Sequence, residues 1–153
     1  MPENEKERTD RQLIELLNEL RVALPGAQIL LGFLLTAPFA TRFNKTTRLE
    51  RDIFFACILV TTVGVLLLMG PTVYHRVRWK EGGKEDVIRI GHQMFLAGTA
   101  CLGLGLTLAV FVVSDVLFGI AAAAASVALT GVTTVLTWYV LPLHRESHYR
   151  NEE

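Results

Sequence analysis

Four long runs of the chain contain no Asp, Glu, Lys or Arg, and they set its organisation. They cover 22–41, 53–75, 90–114 and 116–144, and are 20, 23, 25 and 29 residues long. About 20 apolar residues are enough for a helix to cross the hydrocarbon core of a bilayer. A spanning segment is helical because unpaired backbone groups are too costly in lipid. The pattern therefore predicts an all-α membrane protein, a bundle of four transmembrane helices at about 25–41, 53–73, 90–113 and 116–141.

The predicted domain organisation has three parts. Residues 1–24 form a polar tail and an amphipathic helix, residues 25–143 form the transmembrane domain, and residues 144–153 form a polar tail. Pro25 suits the first position of a helix, since its missing N–H has no partner there. Ser114 and Asp115 lie at the junction of the last two runs. They predict a tight turn in which one of them caps the fourth helix.

The segment before the first span carries leucines at steps of three and four, which gives a helix one apolar stripe. The stripe consists of Leu13, Leu16, Leu17, Leu20 and Leu24. Two interpretations stay open. The helix lies on the cytoplasmic membrane surface, or it packs against the cytoplasmic end of its own bundle or of a second copy.

Average composition conceals this organisation. The 153 residues are 51% apolar and 20% charged, and 15 basic side chains balance 15 acidic ones. Because the charges are segregated, the chain is neither a soluble globule nor a disordered polymer. Eleven of the basic residues flank one predicted side of the membrane and four flank the other, which predicts a multi-pass cell-membrane protein with both termini in the cytoplasm. No basic stripe interleaved with aromatics is present, so a nucleic-acid partner is not expected.

Small residues recur at helical spacing inside the spans and predict close helix packing, within one chain or between copies. These positions are Gly32 in the first span, Ala97, Cys101, Gly105 and Ala109 in the third, and Ala122 and Ser126 in the fourth.

A few polar side chains in or beside the spans are candidates for function. Thr130, Thr134 and Thr137 share one face of the fourth helix, and with Asp115 and Gln28 they are a candidate ion or proton pathway. The threonines have a structural alternative, because threonine also bonds to the carbonyl four residues back. His75 and His92 flank the middle loop and are a candidate pH-sensing pair or plain interfacial histidines.

Motifs for catalysis, metals or cofactors are missing from the sequence. Cys57 and Cys101 lie in apolar runs without a CxxC or a Cys/His cluster, and no nucleophile motif or phosphate loop occurs. We expect no enzyme activity, no cofactor and no metal.

Several segments resemble an uncharacterised bacterial, actinobacterial-type family of four-span integral membrane proteins. The similar segments are 10–28, 36–43, 71–76 and 114–119. The resemblance implies a four-helix membrane fold and a function that is unknown, although some family members carry an automatic sodium:proton antiporter label.

Two hypotheses follow for function. The first is a homo-oligomeric channel or ion/proton transporter embedded in the lipid bilayer, with a monovalent cation or a proton as the transported species. The alternative is a structural or regulatory membrane subunit that binds a partner through the N-terminal helix and the cytoplasmic loop.

Overall fold

The computed structural model describes residues 5–41, 43, 46–78 and 84–140. The elements are helix α1 (Glu5–Thr36), a short 3₁₀ turn (Ala37–Phe39), α2 (Arg48–Arg78), α3 (Lys84–Phe118) and α4 (Ile120–Val135), which runs into a π-helical turn (Leu136–Val140). Four segments are long and apolar enough to cross a membrane: Ile14–Phe39, Arg48–Val73, Ile88–Phe118 and Ile120–Trp138. The prediction of four spanning helices is confirmed to this extent, while the side on which the termini lie stays a prediction.

The expected helix start at Pro25 is wrong, because α1 continues through this proline without a break. Leu16 and Leu20 lie before the proline and Ala27 lies after it, yet all three are buried in one cluster with Val65 and Leu68 of α2. The leucine stripe and the inner face of the first span are thus one continuous packing surface. Pro25 itself is exposed on the opposite side, and a proline inside a spanning helix is tolerated where neighbouring groups compensate for its lost hydrogen bond.

Helices α2 and α3 form an antiparallel hairpin whose backbones touch. A Cβ atom added to Gly64 would lie 3.0 Å from the carbonyl oxygen of Gly98, and one added to Gly98 would lie 3.1 Å from that of Gly64. Three of the four buried glycines of α3 recur every seven residues, at Gly91, Gly98 and Gly105, and face Pro71, Leu68 and Thr61 of α2. Side chains at these positions would hold the two helices apart. The fourth, Gly103, faces Thr134 of α4.

The turn between the last two helices lies at Gly119, so the prediction of a turn at Ser114 and Asp115 is wrong. Both residues belong to α3, which ends at Phe118. Gly119 has φ 87° and ψ 174°, a conformation that is essentially restricted to glycine. Its N–H donates to the carbonyl of Asp115 at 2.9 Å. No side chain caps α4, so neither Ser114 nor Asp115 has the expected capping role.

Helix α4 is peripheral. It contacts α3 and, among the described residues, neither α1 nor α2. Ala123 is its buried residue, whereas Leu129 is 70% exposed. The core therefore lies between the first three helices. It has one cluster around Leu20 and Leu68 and a second of Leu34, Phe54, Cys57 and Val112 towards the opposite end.

Candidate functional site

The three threonines of the candidate pathway donate their hydroxyl protons within α4 and its terminal turn. Thr130 donates to the carbonyl of Ser126 at 2.7 Å, Thr134 to that of Thr130 at 2.8 Å and Thr137 to that of Thr133 at 2.7 Å. A Cβ atom added to Gly103 would lie 2.8 Å from the Thr134 methyl group. The threonine face is thus turned partly towards α3, and its hydroxyls keep only their acceptor oxygens for other partners.

The other two members of the candidate pathway lie on other helices, Asp115 on α3 and Gln28 on α1. Asp115 is half-buried near the end of α3, and its carboxylate has no ion pair or hydrogen bond with a described residue. Gln28 is exposed on α1, a helix that makes no contact with α4 among the described residues. One copy of the chain therefore does not bring the five predicted pathway residues together.

The candidate histidine pair is only half described. His92 is exposed near the beginning of α3, and the side chain of His75 lies outside the described residues. The pH-sensing hypothesis stays a prediction.

The predicted packing residues divide into two groups. Cys101 and Gly105 face α2, Ala109 packs on the second cluster, and the Ser114 hydroxyl bonds with that of Ser126 at 3.1 Å. Gly32 and Ala97 are exposed and Ala122 is half-buried. The first group serves packing within one chain. Among the second, Gly32 has open space beside it, with no described neighbour within 4 Å of an added Cβ.

For the amphipathic stripe, Leu16 and Leu20 are buried and Leu17 and Leu24 are half-buried against the same cluster. The side chain of Leu13 lies outside the described residues. The exposed side carries Arg11 and Glu15, whose charged groups lie 3.8 Å apart. This N-terminal part of α1 packs on its own bundle, which is one of the two interpretations left open by the sequence.

Sequence reasoning missed a polar cluster at the beginning of α2. The Thr47 N–H donates to the Glu50 carboxylate, and the Glu50 N–H donates back to the Thr47 hydroxyl at 3.3 Å. This is a capping box, and the spacing Thr-x-x-Glu is its sequence signal. The next residue, Arg51, donates from Nη2 to the carbonyl of Thr46 at 3.0 Å. The segment between the first two spans carries four basic residues, from which the sequence predicts only topology. In the structure, local hydrogen bonds fix its residues 46–51.

An apolar cavity of about 190 Å³ adjoins this cluster. Its walls come from the chain after α1, the first turns of α2 and the last turns of α3. The lining residues are Ala37, Ala40, Phe43, Thr46, Phe54, Val112, Val113, Val116 and Leu117. The rings of Phe43 and Phe54 meet edge to face, with centroids 5.0 Å apart. Charge-free runs in the sequence carry no signal for a gap of this kind, because it depends on how three segments meet.

The chain belongs to DUF6328, a family of unknown function, whose family model matches residues 2–142. This confirms the expectation of an uncharacterised family, whereas the bacterial origin and the antiporter label stay predictions. Neither the curated proteins nor the solved structures compared with the chain include a match.

Proposed function

Taking membership of a family without known function as the premise, we propose that the chain acts as a homo-oligomeric channel or ion/proton transporter in the cell membrane, with both termini in the cytoplasm. Ions or protons pass between copies of the bundle in this proposal, because the polar groups available for a path lie on surfaces that one copy leaves open.

The observation that carries the proposal is the position of Gln28. It is exposed near the middle of the first candidate span, Ile14–Phe39, and its amide has no hydrogen bond with a described residue. A polar group that faces hydrocarbon without a partner is unfavourable. An amide has both donors and acceptors, so the same amide of a second copy satisfies it. Gly32, one turn further along, leaves the open space that close helix contact requires.

Helix α4 supplies a second open surface with polar groups. Thr133 and Thr137 are exposed, and the bonded hydroxyl of Thr137 still offers acceptor oxygen to a cation or a water molecule. Asp115 adds a half-buried carboxylate near the end of α3. In an assembly these oxygens would border the space between neighbouring copies.

The alternative of a structural or regulatory subunit receives less support. It would bind a partner through the N-terminal helix and the cytoplasmic loop, and on this helix Leu16 and Leu20 are already buried against α2 of the same chain. Among the described residues of α1, a partner would meet exposed charged side chains such as Arg11 and Glu15, which contribute little binding free energy, and separate exposed apolar side chains such as Ile14 and Val22.

The experiment measures mass and flux on the same preparation. We expect purified protein in mild detergent to be larger than one chain by native mass spectrometry, and to conduct Na⁺, K⁺ or H⁺ in proteoliposomes. Gln28→Leu should weaken self-association by about five-fold, the effect of one interhelical hydrogen bond in lipid, and lower flux in parallel. Gln93→Leu is the matched control, because Gln93 is also exposed but lies near the beginning of α3.

Three results would count against the proposal. They are a monomeric wild type, an inserted oligomer without flux at any pH between 5 and 9, and equal losses in the Gln28 and Gln93 variants. An oligomer without flux would support the self-assembly part of the proposal and contradict the transport part.

A further inference from the structure

The apolar cavity beside the beginning of α2 is large enough for part of a ligand. Its volume is about 190 Å³, and an apolar cavity of about 150 Å³ in another protein takes up a benzene-sized molecule. The lining is almost wholly hydrocarbon, with Thr46 as its polar residue. Val113 and Leu117 line it while remaining about half exposed, so the cavity opens to the surroundings of the bundle. These properties suit the end of an alkyl chain.

A guanidinium group is fixed at the margin of the same cavity. Arg51 Nη2 donates to the carbonyl of Thr46, and Thr46 lines the cavity. Arg51 also precedes Phe54, another lining residue, by three positions on α2, which places the two side chains on the same helix face. The arginine is exposed and has five N–H donors. One hydrogen bond to Thr46 positions the group and leaves donors for an anion.

The charge around this margin favours an anionic ligand. Two carboxylates flank Arg51 in sequence. That of Glu50 is directed at the Thr47 N–H in the capping box, which leaves exposed Asp52 as the one beside two exposed arginines. Arg48 is exposed one turn before Arg51. Arginine binds phosphate through two parallel hydrogen bonds, so a lipid phosphate at this end of the bundle would pair with the guanidinium.

We propose that this cavity and Arg51 form a binding site for an anionic phospholipid, with the end of one acyl chain in the cavity and the phosphate on the guanidinium. The cavity accounts for the acyl chain and Arg51 accounts for the phosphate, so a ligand that fills the whole site has both. A free phosphate would leave the cavity unfilled, and a neutral hydrocarbon would leave the guanidinium unused. The site is independent of transport, since it lies within one copy of the chain.

The test compares three probes on the full chain in a neutral detergent. They are dioleoylphosphatidylglycerol, dioleoylphosphatidylcholine with the same acyl chains, and glycerol phosphate, which has no chains. Native mass spectrometry gives the bound fraction and thermal unfolding gives the shift in Tm. We expect phosphatidylglycerol to bind and to raise Tm, phosphatidylcholine to bind about five-fold more weakly, and glycerol phosphate to give no shift.

Variants test the two halves separately. Arg51→Gln should reduce phosphatidylglycerol binding about five-fold and phosphatidylcholine binding by less, because the choline cation offsets the charge of the phosphate that both lipids carry. Ala40→Phe, which adds bulk at the cavity wall, should reduce binding of both lipids. Arg21→Gln is the matched control, because Arg21 is an exposed basic residue in α1 away from the cavity, and it should behave as wild type. The Tm of each variant without lipid shows that it is folded.

The proposal is overturned by equal binding of the two lipids to wild type, or by equal losses in the Arg51 and Arg21 variants. It is also overturned if glycerol phosphate alone raises Tm, which would indicate a site for a free anion. A folded Ala40→Phe variant with unchanged lipid binding would remove the cavity from the site.

Discussion

The α2–α3 hairpin and helix α4 are neighbours of similar apolar character, yet they differ in how closely they pack against the rest of the bundle. Between α2 and α3, glycines bring backbone against backbone, and Leu68, Thr61 and Cys57 are fully buried. Among the helices that the structure describes, α4 packs against α3 only, and much of its surface is exposed. Hydropathy does not distinguish the two, because lipid and a neighbouring helix are equally apolar environments. Close contact is what differs, and substitutions can measure it.

The largest difference is expected for leucine truncation. Leu68→Ala should lower the free energy of unfolding by about 3 kcal/mol, because the lost side chain leaves a cavity that the hairpin cannot close. Leu129→Ala, at a 70% exposed position, should change it by less than about 0.5 kcal/mol. Unfolding by denaturant in mixed micelles measures both. Equal losses would show that α4 is as tightly packed as the hairpin.

A second comparison adds bulk instead of removing it. Gly64→Val should destabilise the fold by about 2 kcal/mol, since the new side chain collides with Gly98 and Cys101. Gly131→Val in α4 meets no described atom within 4 Å of the added Cβ, so we expect little change in monomer stability. Thermal unfolding in detergent compares the variants. A loss of oligomer in Gly131→Val, with an unchanged monomer, would place a second copy on α4.

The turn that connects the two regions should be sensitive to backbone conformation. Gly119→Ala should cost about 1.5 kcal/mol, because an L side chain is strained at φ 87°. Gly26→Ala has the same chemical change inside helix α1 with open space beside it and should be neutral or slightly stabilising. A Gly119 variant as stable as wild type, judged by Tm, would contradict a turn that requires glycine.

The smallest expected effect concerns the helix beginnings. Thr47→Ala removes the side-chain half of the capping box of α2 and should cost about 1 kcal/mol. Ala121→Ser is the control at the beginning of α4, where no side-chain cap is present, and should change stability by less than half of that amount. Tm differences below the reproducibility of the measurement for Thr47→Ala would show that this end of α2 is held by other contacts.

Much of the fold was predictable because charged residues are so expensive in lipid that their absence marks the spans. The functional positions were less predictable. The sequence predicts a turn at Asp115 because this residue interrupts a charge-free run, but Gly119 makes the turn without any charge. The sequence also predicts a helix start at Pro25, but the buried face of α1 continues beyond it at Ala27. Among the small residues, the four-residue spacing predicts Ala97 as a packing position, whereas its neighbour Gly98 makes the contact, because Gly91, Gly98 and Gly105 form a seven-residue repeat that faces α2.

The sequence by itself determined that four apolar helices are long enough to span a bilayer, since length and charge exclusion are local properties of the chain. Tertiary structure decided which faces meet. It buried Leu16 and Leu20 on α2, turned the α4 threonines to their own carbonyls, left Gln28 exposed, and formed an open apolar cavity near the beginning of α2. These outcomes depend on contacts between residues distant in sequence, and in an apolar environment such contacts are selected by shape and hydrogen bonding rather than by hydropathy.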